Sequence, residues 1–183
     1  TASVQTEERM RRIWILCLIS LLALSLSASA QRRVTPVVLI SIDGLKPDYV
    51  LEADRHGLKL PNLRRLVKEG AFAAAVTGVT PTVTYPSHTT LVTGVSPAKH
   101  GIYANTPFDP FGKNQGGWCW YAEDIRVPTL WEACAQAGLK TASVDWPVTV
   151  SAKIDFNIVQ MWRAATPDDR KLIRALSTPG LLT

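Results

Sequence analysis

Histidine is scarce in this chain and confined to its first half: His56, His88 and His100 are all there are, and none follows position 100. The later carboxylates Asp109, Asp124, Asp145, Asp155, Asp168 and Asp169 have no histidine beside them. A zinc cage needs about three or four protein ligands, so none can be closed from mixed His and Asp donors in that half. Long basic runs are also missing. Lys and Arg number 20 against 15 Asp and Glu, a formal charge of +5. Arg9, Arg11 and Arg12 against Glu7 and Glu8 account for one of these charges, leaving about +4 for the remainder. That excludes a nucleic-acid-binding tract and suits the approach of a small anionic substrate. No apolar run reaches the roughly 20 residues of a membrane span, and neither an internal repeat nor a low-complexity linker interrupts the chain. What is present is a 46% hydrophobic composition over 183 residues, enough for one globular domain with a sizeable core.

The N-terminal segment has the layout of a secretory signal peptide: Met10-Arg11-Arg12, an apolar stretch from Ile13 to Leu26, then the small residues Ala28-Ser29-Ala30. Residues 1–9 read as upstream sequence and residues 10–30 as the signal peptide, with cleavage after Ala30. The expected product is exported, periplasmic or extracellular, with no retained membrane span. Cys17 is lost with the leader. In an oxidising compartment Cys119 and Cys134 are equally compatible with a disulfide and with two reduced thiols, because sequence fixes neither their separation nor their orientation.

Along the mature chain, residues 34–42 form a β-branched, apolar run ending at Asp43-Gly44, which predicts a buried parallel strand with Asp43 at its C-terminal edge. Pro61 opens a segment whose Leu63, Leu66 and Val67 recur at helical spacing until Gly70. Residues 71–79 predict a second strand, and Ser87–Thr93 a helix capped by Gly94 with Thr84 near its start. Residues 103–127 hold turn formers and aromatics without a steady period and predict a functional loop. A helix from Pro128 to Ala137 and a strand from Leu139 to Val144 follow, then a helix and turn over 167–182. Alternating strands and helices indicate an α/β layered sheet.

Two residues stand where chemistry is expected. Asp43 closes a strand at the sheet edge where α/β proteins bind ligands, and its carboxylate suits a hard or borderline cation; the bland reading is an Asp-Gly turn. Thr84 opens a helix in Thr84-Tyr85-Pro86, with Pro86 tolerated in a first turn because its missing N–H would be unpaired there anyway. Such a helix start favours an anion, although a lone threonine there is more often just a cap.

Taken together, three segments resemble the nucleotide pyrophosphatase/phosphodiesterase (type I phosphodiesterase) family of the alkaline-phosphatase superfamily. They are Ile42-Asp43-Gly44-Leu45-Lys46-Pro47-Asp48-Tyr49, Pro81-Thr82-Val83-Thr84-Tyr85-Pro86-Ser87-His88, and Pro97-Ala98-Lys99-His100-Gly101-Ile102-Tyr103-Ala104-Asn105. The resemblance runs from about Val37 to Val150. It implies an alkaline-phosphatase-like layered sheet with flanking helices, incomplete here, and makes residues 34–183 the N-terminal part of a catalytic domain. Residue by residue it gives Asp43 as a metal ligand, Thr84 as both metal ligand and attacking nucleophile, and Asn105 as the substrate-binding amide that holds a phosphoryl oxygen. Asp48, His88 and His100 are implied to be structural, and Ser87 departs from the asparagine of many members.

The same resemblance implies two zinc ions in a full-length parent, one activating the Thr84 hydroxyl and the other steadying the leaving oxygen and later activating water. The product of the first displacement is a phosphothreonine that water then hydrolyses. The family's further ligands, an Asp-Xaa-Xaa-Xaa-His pair, an Asp-His pair and a distant histidine, have no match after Asn105. The expectation is therefore a partial metal site, and little or no activity for this polypeptide alone. The substrate class is a small phosphodiester of nucleotide or phospholipid type. A sulfatase is disfavoured by the missing Cys-Xaa-Pro-Ser-Arg motif. The alternatives are a phosphomonoesterase of the same superfamily and a catalytically dead extracellular binding module using the aromatic loop at 107–121. In that loop Trp118, Trp120 and Tyr121 suit base stacking and core cover equally.

Overall fold

The computed structural model describes residues 7, 9–12, 14, 15, 35–112, 116–161 and 167–182. The chain divides into two compact units, Thr1–Ile42 and Asp43–Thr183. In the first, residues 9–12, 14 and 15 are helical, and residues 35–42 carry no regular secondary structure. Most of the segment read as a signal peptide lies outside the described residues. Among the described residues no helix is long and apolar enough to cross a membrane.

The second unit carries the helices, a small sheet and the candidate site. Helix α1 (Asp48–Leu51) is followed by a 3-10 turn at Ala53–His56 and by α2 (Pro61–Glu69). Pro61 starts α2 because its fixed φ suits a first helical turn, and Gly70 ends it, its N–H donating to the Leu66 carbonyl at 2.8 Å. Helix α3 (Thr84–Thr93) stops at Gly94, whose left-handed φ of 69° a side chain would strain. A single turn, α4 (Pro97–His100), precedes the long loop, and α5 (Leu130–Gln136) follows it. At the start of α5 Glu132 reaches back to accept the Thr129 N–H at 2.8 Å and the Thr129 hydroxyl at 2.9 Å, which satisfies donors that a helix start leaves without intrahelical partners.

Strands β1 (Ala142–Trp146) and β2 (Phe156–Val159) pair in parallel, Ala142 opposite Phe156 and Trp146 opposite Val159. Their connection, residues 147–155, is shorter than the dozen or so residues that parallel crossovers usually need. Left-handed backbone at Val148 (φ 57°) and Ser151 (φ 63°) turns the chain back within that length, after a left-handed Asp145 (φ 56°) inside β1. Asp145 also sits at the register shift between Val144 and Trp146, so it is the bulge residue of the pair. Helix α6 (Pro167–Leu176) packs Leu172 and Ile173 on β2, and the segment after it lines β2 through Ser177 and Thr178. The Thr178 N–H donates to the Asn157 carbonyl at 2.8 Å, and the Val159 N–H to Ser177 Oγ at 3.1 Å.

Two buried clusters form the core. Tyr85, Ile102, Cys119 and Val148 make one, with Trp118, Trp120 and Ile125 against it; Val150, Val159 and Met161 make the other, with Trp120, Leu172 and Ile173 against it. Each fully buried aliphatic of this kind contributes about 1.5–3 kcal/mol relative to exposure. Trp118 and Trp120 thus cover the core, while Tyr121 is exposed and its backbone bridges to Val150.

Two expected strands are corrected. Residues 35–42 form no strand and their apolar side chains are exposed, Val37 to 90%. Residues 71–79 are likewise irregular and mostly exposed. A β-branched run encodes extended backbone, but a strand exists only where another strand completes its hydrogen bonds, and neither run has a ladder partner among the described residues. The strand expected at Leu139–Val144 forms a few residues later, at Ala142–Trp146, and β2 was not anticipated. Sheet and helices together give an α/β arrangement with a small parallel sheet.

Candidate active site at the start of the third helix

Asp43 and Gly44 form a tight turn, with Gly44 at a φ of 71° that an L side chain rarely adopts. The turn presents the Asp43 carboxylate, which is exposed. Thr84, half-buried, is the first residue of α3, and its Oγ1 donates a hydrogen bond to Asp43 Oδ2 at 2.8 Å. The two side chains meet although 41 positions separate them.

Asn105 comes to the same helix start from the loop after α4. Its Oδ1 accepts the Tyr85 N–H at 2.9 Å, and its own carbonyl accepts the Cys119 N–H at 2.8 Å. Once Oδ1 is committed as an acceptor, the amide orientation is settled and Nδ2 is the group left to donate. The opening turn of α3 has three early N–H positions. Tyr85 spends its donor on Asn105, Pro86 has none, and the Thr84 N–H has no acceptor among the described residues. The positive end of the helix dipole therefore lies beside the Thr84 hydroxyl.

Behind this surface Tyr85 is completely buried, edge-on to Trp118 with ring centroids 5.3 Å apart. Burial, then the neighbouring Cys119 and Asp145, push its phenol far above the ordinary range, so it stays protonated. His88, one turn along α3, uses Nδ1 against the Thr84 carbonyl at 2.8 Å and lies edge-on to Trp146, 5.2 Å between centroids. His100 is fully buried: the Ile102 N–H donates to its Nδ1 at 3.2 Å, and its Nε2 stands 3.0 Å from Thr90 Oγ1. Its pKa is lowered by burial, partly offset by a hydrogen bond to the Pro86 carbonyl. The Asp145 carboxyl, at the end of β1, is raised by burial. Asp48 is the first residue of α1, an acidic side chain in a first turn where the helix dipole favours it.

Cys119 and Cys134 are both free thiols in the structure, so the disulfide alternative is not realised. Cys119 is buried and its thiol pKa is pushed up to about 11 by burial and the nearby Asp124 charge, which makes it a poor nucleophile. The donor chemistry at Asp43 and Thr84, a carboxylate and a hydroxyl within hydrogen-bonding distance, suits zinc or another divalent cation. Among the described residues no three His, Cys, Asp or Glu side chains come together, and Asp43 and Thr84 are the two that could offer oxygen donors here.

Sequence reading named Asp43, Thr84 and Asn105 but missed how they are held. The Tyr85 main-chain donor that orients Asn105 has no sequence signature. The His88 contact with the Thr84 carbonyl was signalled only by a spacing of four positions on one helix.

Comparison with known proteins gives the family. Residues 37–178 match the sequence model of the type I phosphodiesterase / nucleotide pyrophosphatase family, and the chain belongs to that family. Among individual relatives it is similar to ectonucleotide pyrophosphatase/phosphodiesterase family member 3 of Rattus norvegicus, 32% identical over 61% of this chain and 13% of the relative. It is also similar to a venom phosphodiesterase of Naja atra, 28% identical over 78% of this chain and 18% of the relative. A bis(5'-adenosyl)-triphosphatase of Xenopus laevis is 28% identical over 74% of this chain and 30% of the relative. The chain thus spans less than a third of the length of each of these relatives.

Proposed function

We propose that this chain contributes the nucleophile half of a phosphodiester- or pyrophosphate-hydrolysing site, with Thr84 as the attacking group. The observation that carries the reading is the 2.8 Å hydrogen bond from Thr84 Oγ1 to Asp43 Oδ2 at the start of a helix. An aliphatic hydroxyl is a poor nucleophile at neutral pH. A zinc ion held by Asp43 and Thr84, with ligands beyond the described residues, would lower the hydroxyl pKa.

The chain's own residues do the rest. Asp43 aims the Thr84 oxygen by accepting its proton in a hydrogen bond. Thr84 Oγ forms a bond to phosphorus as the bond to the leaving oxygen breaks, its proton passing to water and the leaving oxygen taking one up, which gives a phosphothreonine that keeps the substrate's other ester group. Water then attacks phosphorus and returns the hydroxyl to Thr84. Asn105 Nδ2 donates to a non-bridging oxygen of the transferring group, the kind of fixed donor that often lowers such barriers most. A neutral amide suits the single charge of a diester. The Thr84 N–H and the helix dipole add to the same anion-binding corner. Nucleotide-type phosphodiesters are the favoured substrates because the relatives named above are nucleotide pyrophosphatases and phosphodiesterases. Export through the leader at residues 10–30 and an alkaline-phosphatase-like layered sheet belong to the same proposal, the latter supported by family membership and the parallel β1–β2 pair.

The test is turnover of a p-nitrophenyl phosphodiester by the full-length protein. Thr84→Ala is expected to lower kcat by about a thousandfold or more, and acid quenching of the parent during turnover is expected to trap on Thr84 the phosphoryl group with the substrate's remaining ester still attached. Unchanged turnover in Thr84→Ala would remove the proposal.

A further inference from the structure

We infer that His88 is a positioning residue for the Thr84 hydroxyl, holding the first turn of α3 through its Nδ1 donor. The inference rests on Thr84 being the nucleophile. A carbonyl oxygen can only accept, so the 2.8 Å contact between His88 Nδ1 and the Thr84 carbonyl requires the proton to sit on Nδ1. That carbonyl is the one the helix ladder assigns to the His88 main-chain N–H, so His88 grips the backbone of Thr84 twice.

The grip adds to the buried Tyr85 ring and its N–H on Asn105, which hold the other side of the same turn. Helix ends fray, residues 71–83 leading into α3 are irregular and mostly exposed, and Pro86 removes a donor from the first turn. On its other side the His88 ring is nearly buried and meets Trp146 edge-on. Trp146 ends β1, its carbonyl accepts the Thr149 hydroxyl at 2.7 Å, and Pro147, Val148 and Val150 beyond it are buried. His88 therefore braces the residue that carries the hydroxyl against the rigid end of the sheet, while Asp43 fixes the hydroxyl itself. No role as a metal ligand is needed for this.

Two substitutions separate the donor from the ring. His88→Phe keeps an aromatic edge for Trp146 and removes the N–H, whereas His88→Asn places an amide nitrogen where Nδ1 stands and removes the ring. In the full-length protein, with a p-nitrophenyl phosphodiester as probe, His88→Phe is expected to lower kcat by about 10- to 100-fold with KM within about twofold, since a small misplacement of a reacting group acts on the chemical step. His88→Asn is expected to recover most of that loss. Nitrogen-15 NMR of the unsubstituted protein, which needs no variant to fold, is expected to show the His88 proton on Nδ1. Parental kcat in His88→Phe, failure of His88→Asn to rescue, or a ring with Nδ1 unprotonated would each overturn the inference. If Thr84→Ala retains turnover, the nucleophile assignment is what fails; if Thr84→Ala is inactive and His88→Phe is not, only the role of His88 fails.

Discussion

At His100 a buried ring is kept neutral by its surroundings. The Ile102 N–H points at Nδ1, where a second ring proton would have to sit, and burial disfavours the charge further. The folded-state pKa is therefore lower than the unfolded value of about 6.5, so the unfolded chain takes up the proton first as pH falls. Stability from this residue is present above about pH 6.5 and is lost progressively below it. Urea midpoints measured from pH 7.5 to 5.5 are expected to fall, and His100→Gln should flatten that slope; an unchanged slope would show that other groups govern the window. Asp155 behaves oppositely in range. Its carboxyl, bonded to Lys140 and to the Thr141 N–H and hydroxyl, is lowered to about 2, so its contribution survives until strongly acid conditions. At this scale the sequence was informative about residue types. Asp43, Thr84 and Asn105 each stand in a segment with family-like neighbours, but apart from His88 on the Thr84 carbonyl the donors and acceptors that hold them come from residues distant in sequence.

Among the elements, helices were read more accurately than strands, for a physical reason. The start and stop of α2 are written locally in Pro61 and Gly70, and the end of α3 in Gly94. For α5 the reciprocal contacts of Thr129 and Glu132 are again three positions apart. Thr129→Ala is expected to cost about 1 kcal/mol, as loss of a helix cap usually does, measured as a shift in urea midpoint, with Thr129→Ser restoring it. A strand's partner is not local. The apolar run at 37–42 and the alanine-rich run at 71–79 had the composition of strands and lack their ladders here, whereas β2, only four residues long, forms because β1, Ser177 and Thr178 satisfy its backbone. Its Phe156-Asn157-Ile158-Val159 sequence does not alternate, and it buries Asn157 and Val159 while Phe156 is exposed, so no periodic signal was available.

For the whole molecule, family membership and the local geometry reach different distances. The match over residues 37–178 gives the family, and the chain covers 13–30% of the relatives named above. With two oxygen donors and no cluster of three ligating side chains among the described residues, the 183-residue chain alone is expected to hold zinc weakly. Equilibrium dialysis should find fewer than two tightly retained ions, and two per chain would contradict that. The covalent path between the donors has its own consequence. Asp43 and Thr84 are joined through residues 71–79, an irregular and exposed stretch of the kind proteases cut, while Thr84 and Asn105 lie together on the far side of it. A single nick there would put the carboxylate on one peptide and the hydroxyl with its amide neighbour on another.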